Sequence, residues 1–183
     1  MARIPLIARS DQMAPAHRDV WMRIAKSRGS VVGPFAALLH SPVLADRTTE
    51  LGAYIRFDSG LSAADRELVI LSVARVFDCH FEWAYHVREA RKAGLSAQTI
   101  GAIRERRAPA GLTAEEAEIV RYVSQLLVTH RADEQTVAAL RARLGVQGIV
   151  ELTATVGYYA MLACTLNAFD VRPEAGEEEL DVP

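Results

Sequence analysis

The segment Asp78-Cys79-His80-Phe81-Glu82-Trp83-Ala84-Tyr85-His86 sets a thiol, a carboxylate and an imidazole at steps of three and four residues. On a helix such steps fall on one face. A second carboxylate, Glu67, lies twelve residues before Cys79 in a run that is otherwise almost wholly apolar. Thiol chemistry and proton transfer both need groups of this kind held together. Glu82 and His86 are i and i+4. A carboxylate one turn from an imidazole fixes its tautomer and raises its basicity; the plainer alternative is an exposed helix pair. Cys79 follows a helix break expected at Asp78 and so falls in the first turn of the next helix. The dipole there favours a thiolate, while the charges of Asp78 and Glu82 oppose one. Its alternative is a small buried hydrophobe. Glu67 reads either as a carboxyl raised by apolar surroundings or as a first-turn acid at a solvated helix end.

The elements that hold these groups read as helices throughout. Apolar positions recur at three and four residues, and no period-two strand emerges. Helices are predicted over 15–28, 35–40, 43–56, 63–77, 79–93, 96–106, 113–130, 133–145 and 147–169. Ser62, Ser96 and Thr113 are their N-caps, and Gly94 and Gly145 their stops. The 63–77 segment has almost no polar face, which marks a buried helix. Residues 1–14 form an N-terminal arm. Residues 171–183 form an acidic tail, expected to be disordered or draped on a neighbour. No linker or repeat divides the chain, so a single domain is expected.

A chain of 183 residues with 50% hydrophobic content and a mean hydropathy of +0.07 has enough apolar material for a packed core. The net charge of -2, with arginines scattered among acids, points away from nucleic acid. No apolar run approaches membrane-span length, and no secretory pattern opens the chain, so no membrane partner and a cytoplasmic location are expected. Two cysteines do not make a disulfide scaffold. Cys79, His80, Glu82 and His86 are ligand types, but their spacing matches no zinc signature. No phosphate loop, nucleophile elbow or dinucleotide fingerprint appears. Neither metal nor cofactor is expected. Trp83, Tyr85, Tyr158 and Tyr159 either line a pocket or fill the core. His17, His40 and His130 stand alone.

Arg66-Glu67-Leu68-Val69-Ile70-Leu71, the segment Cys79 to His86, and Ala90 with Gly94-Leu95-Ser96 resemble the carboxymuconolactone decarboxylase family of the alkylhydroperoxidase-D-like superfamily. Gly33-Pro34-Phe35, Leu38-Leu39-His40-Ser41-Pro42, Leu51-Gly52, Glu151-Leu152, Gly157-Tyr158-Tyr159 and Leu166-Asn167-Ala168-Phe169 extend the resemblance over about residues 15–170. It implies an all-α, single-domain helical bundle with a central helical hairpin carrying the active residues, and a homo-oligomer: dimer, trimer or hexamer. Peroxidase-type members resemble a Glu, Cys-x-x-Cys, His arrangement. Glu67, Cys79 and His86 match it, but Glu82 stands where the second cysteine belongs. Decarboxylase-type members have Glu-x-x-x-His, which Glu82 to His86 matches, and need no thiol at position 79.

The expected function is therefore acid/base chemistry on a small carboxylated or lactone-like substrate. His86 moves the proton, Glu82 orients it, Glu67 is a second proton carrier, and Cys79 lies near the reacting atoms. Arg56, Arg66 or Arg75 would hold a substrate carboxylate. One alternative is a thiol-dependent hydroperoxide reductase using Cys79, of peroxiredoxin-type activity. The other is a non-catalytic helical oligomer that binds a small molecule.

Overall fold

The structure, a computed structural model, describes residues 2–180. Every regular element among them is helical. The contacts gather the chain into two compact units, and neither is continuous in sequence.

The first unit is the chain up to Ser59 together with Cys164–Arg172. A 3-10 turn at Pro15–His17 leads into α1 (Arg18–Arg28). Proline fits a helix start because the amide it lacks has no partner there. α2 (Pro34–Leu38) is buried along its whole length, and the Arg28 guanidinium lies 3.9 Å above the Phe35 ring. α3 (Pro42–Ala53) continues as a π-helical turn over Tyr54–Asp58. The N-terminal arm is built into this unit. Ile7 N–H donates to Ala36 O at 2.9 Å and Arg3 N–H to Phe169 O at 2.8 Å. Ile7 and Met13 are buried.

The second unit is Gly60–Ala163 with the segment from Pro173 onward. α4 (Ala63–Val76) starts as predicted, the Ser62 hydroxyl accepting from Asp65 N–H at 3.0 Å. All eight residues from Glu67 to Ala74 are buried. α5 (His80–Lys92) packs on α4 as a hairpin across a short turn. Gly94, at φ 93°, ends it in a region open to glycine without penalty. α6 (Ala97–Arg104) is capped by Ser96 and α7 (Ala114–Ser124) by a Thr113/Glu116 capping box. The predicted continuation of α7 to His130 is a π-helical turn, Gln125–Thr129, closed by His130 at φ 61°.

α8 (Glu134–Ala168) is one run with a break at Gly145, where φ 72° and ψ 176° leave the helical region. The two helices expected on either side of Gly145 are present, joined end to end. α8 also corrects one expectation, because its most apolar 18-residue window has the length and hydropathy, 1.4, of a membrane span. More than half of that window, 56%, is buried against protein.

The tail is the second correction. Glu177 reaches Arg88 at 2.9 Å, Glu178 reaches Arg91 at 2.8 Å and pairs with Arg104, and Glu179 Oε2 lies 3.2 Å from His80 Nδ1. Leu180 is buried. Three glutamates meeting a row of basic side chains make this segment part of its own unit. Residues 181–183 of the predicted tail, and Met1 of the arm, lie outside the described residues.

Candidate active site

α4 ends at Val76, and Asp78 takes φ 48° to reverse the chain. Aspartate tolerates this left-handed conformation better than most residues. Arg75 pairs with Asp78 from α4, and Arg106 Nη2 donates to its two carboxylate oxygens at 2.9 and 3.0 Å. Cys79 follows as the N-cap of α5 rather than in its first turn. Its N–H donates to Ala74 O at 2.8 Å, and its carbonyl accepts from Trp83 N–H at 3.1 Å. Its side chain is buried at the positive end of the α5 dipole.

One turn on, Glu82 points inward, and His86 follows at i+4. The expected pair is present, with His86 Nε2 3.3 Å from Glu82 Oε2. The shorter contact crosses the hairpin: His86 Nδ1 to Glu67 Oε2 is 2.7 Å. Glu67 lies in the second turn of α4, not at a solvated helix end, and is 5% exposed. Glu82 and His86 are 4% and 3% exposed. Spacing therefore identifies the weaker partner of the imidazole, and only the hairpin supplies the closer one.

The protonation state follows from this geometry. Both ring nitrogens face carboxylate oxygens, and only the imidazolium can donate from both. Burial alone pushes the imidazole down. The hydrogen bonds and charges of Glu67 and Glu82 outweigh it and lift His86 to about 9 from the ordinary 6.5. Arg66 completes the set, its Nε 3.9 Å from Glu67 Oε1. Two carboxylates, one imidazolium and one guanidinium sum to no net charge, which is how buried ions are tolerated.

Two tyrosines frame the imidazole edge-on. Tyr85 lies at 5.0 Å between ring centroids and Tyr159, from α8, at 5.2 Å. The sequence flagged both rings, but its spacing could not separate pocket from core. Glu151 is a further buried carboxylate that carried no signal as such. It accepts from Gly60 N–H at 2.8 Å and from the Gln147 amide at 2.9 Å, so it fastens backbone.

The remaining candidates lie elsewhere. Arg75 turns to Asp78 and the Arg104 carbonyl. Arg56 belongs to the π-helical turn of the first unit. Both cysteines are free thiols, and Cys164 is exposed. Among the described residues no three His, Cys, Asp or Glu side chains converge as metal ligands would.

Residues 42–125 match the model of the carboxymuconolactone decarboxylase family, a narrower span than the resemblance of about 15–170. No curated protein matches the sequence. Among solved structures, an uncharacterised peroxidase-related protein from Ralstonia eutropha JMP134 with an alkylhydroperoxidase AhpD core superposes with a TM-score of 0.78 at 15% identity, covering 95% of this chain and 93% of that one. A peroxidase-related protein from Silicibacter sp. TM1040 gives 0.73 at 16% identity, with 94% of each chain covered. A single-site variant of the debrominase Bmp8, in complex with 2,3,4-tribromopyrrole, gives 0.74 at 14% identity, covering 96% and 95%. At such identities these likenesses speak for the fold, which is the alkylhydroperoxidase-D-like all-helical one. The family match spans both helices of the α4–α5 hairpin, and over those residues the chain is similar to the carboxymuconolactone decarboxylase family.

Proposed function

We propose that the chain is an enzyme of proton-coupled chemistry on a small molecule, with the His86 imidazolium as general acid. The carrying observation is the buried Glu67–His86–Glu82 row, which stores a proton at neutral pH between two carboxylates. On a carboxylated or lactone-like substrate, the bond to the leaving carboxylate breaks as carbon dioxide departs. The electron pair passes to the adjoining carbonyl-conjugated carbon, and the His86 proton closes that carbon. Glu67 and Glu82 then restore the imidazolium from solvent. The cluster is sealed, so access in this reading runs past Tyr85, the half-buried ring in edge contact with the imidazole.

A second reading is favoured by the surroundings of Cys79. The two acids expected to oppose a thiolate are both neutralised, Asp78 by Arg75 and Arg106, and Glu82 by His86. The helix dipole is then left to act on the thiol. Attack of the thiolate on a hydroperoxide breaks the O–O bond, leaving one oxygen on sulfur as a sulfenate and releasing the other as an alcohol, with the hydroperoxide's own proton relayed to it through His86. A small thiol or another protein thiol then reduces the sulfenate, because Glu82 occupies the place of a local resolving cysteine.

Intact mass after stoichiometric peroxide separates the two readings. A gain of one oxygen that disappears in Cys79→Ser supports the thiol route. An unchanged mass, with substrate turnover abolished in His86→Ala, supports the acid/base route. Unchanged turnover in His86→Ala would overturn the acid/base mechanism, and an unchanged mass with no turnover in the wild type would leave only the binding role. The reading also includes a homo-oligomer. α8 turns Val146, Val150 and Met161 outward, at 67, 61 and 37% exposure, and a second copy of the chain would cover them. Light scattering should give a multiple of the 20.1 kDa chain mass, reduced by Val150→Asp.

A further inference from the structure

The second unit contains a half-open cavity of about 590 Å³ that none of Glu67, Cys79, Glu82 or His86 lines. It lies between α4, α6 and α7, and is closed by the Ala108–Pro109 loop and the π-helical turn after α7. Its volume falls in the range of small-molecule sites. Most of its surface is apolar, contributed by residues such as Val76, Ile103, Val120 and Val123. Its ionisable lining is of one sign. Arg75, Arg106 and Arg121 face it, and no lining residue is acidic.

Those cations are not fully compensated. Asp78 is shared by Arg75 and Arg106, so two guanidiniums meet one carboxylate. The Arg75 side chain is only 11% exposed, so its charge is held in a poorly solvated place. Arg121 makes no side-chain hydrogen bond or ion pair among the described residues; Asp133 senses its charge without touching it. Guanidinium forks match a planar carboxylate in geometry and charge. Ser124 and Gln125 also line the cavity, the Gln125 amide being already engaged by Asp133. Gln125 belongs to the π-helical turn, an irregularity that concentrates at functional sites.

We infer that this cavity is a binding site for a small amphipathic carboxylate, an apolar body seated between α4, α6 and α7 with its anionic end at Arg121 and Arg106. The site is separate from the Glu67–His86–Glu82 row and stands whatever reaction that row performs.

Calorimetric titration of the full chain with octanoate tests it. The expected result is saturable one-to-one binding with a Kd on the order of 0.1–1 mM, the affinity that about ten heavy atoms supply. Octanol should bind at least tenfold more weakly, since it lacks the charge. Arg121→Gln, at an exposed position, should weaken octanoate about tenfold without changing the melting temperature. Ala117→Phe, which puts a ring into the cavity, should abolish binding. Equal affinity for octanol and octanoate, unchanged octanoate binding in Arg121→Gln, or no saturable heat would each overturn the assignment.

Discussion

The second unit holds two groupings of charge that solve opposite problems. The Glu67–His86–Glu82 row with Arg66 is sealed and sums to zero. The arginine cavity is half-open and keeps an excess of positive charge. Burial explains the difference. Removing ions from water costs several kcal/mol each unless partners return it, so a closed site must balance internally. An open site can leave its balance to solvent or to a ligand. A closed row thus preserves a proton, and an open cavity preserves an affinity.

The widest separation between the two should appear on removing one charge from each. His86→Ala leaves two carboxylates facing each other in a buried place and should cost on the order of 3–5 kcal/mol in urea unfolding. A loss below about 1 kcal/mol would mean the row is not an interlocked set. Glu67→Gln should cost more than Glu82→Gln, because its contact is 2.7 rather than 3.3 Å.

Next in size is the pH dependence. His86 is raised from 6.5 to about 9 in the folded state. A raised imidazole stabilises the fold fully below the unfolded value and loses that contribution as pH climbs through the folded one. Stability should therefore fall by about 3 kcal/mol between pH 6.5 and 9. His86→Ala should flatten that slope, and an equal slope in the variant would place the titrating group elsewhere.

Smaller effects should grade the cavity itself. Arg75→Gln leaves Asp78 to Arg106 alone and the Arg104 carbonyl without its guanidinium donor, and should cost about 2 kcal/mol. Arg121→Gln has nothing to release and should stay within about 0.5 kcal/mol of wild type. If the two were equally costly, Arg121 would be a structural residue and the contrast would collapse. The smallest change is expected at the tail. Glu178→Gln should cost about 1 kcal/mol or less, and the difference should shrink at high salt because the pairs it loses are partly solvated.

Local chemistry was readable in advance where it decides a helix end. Ser62, Ser96, Thr113 and Gly145 act as their residue types demand. Spacing also found Glu82 beside His86, because i and i+4 meet on any helix. The shorter Glu67 bond escaped it, since that bond depends on how two helices lie against each other. The π-helical turns at Tyr54–Asp58 and Gln125–Thr129 have no compositional signature, because they arise from a shifted hydrogen-bond partner. The tail looked solvated because its glutamates were read without the distant arginines that receive them. The two units were invisible for a related reason: each is assembled from separated stretches of chain.

At Asp78 a single peptide bond separates the cavity's counter-ion from the buried thiol. The Asp78 carboxylate is the counter-ion of Arg75 and Arg106 on the cavity side, and the next residue is Cys79. Its φ of 48° is one that Asn would keep and Gly would adopt more freely. Asp78→Asn thus removes the charge and retains the turn, whereas Asp78→Gly removes both charge and side chain while easing the backbone. Comparing them separates geometry from charge at one position. Linkage adds a reciprocity: whatever an anion at Arg106 does to the equilibrium ionisation of the thiol, ionisation of the thiol must do in equal measure to the binding of that anion.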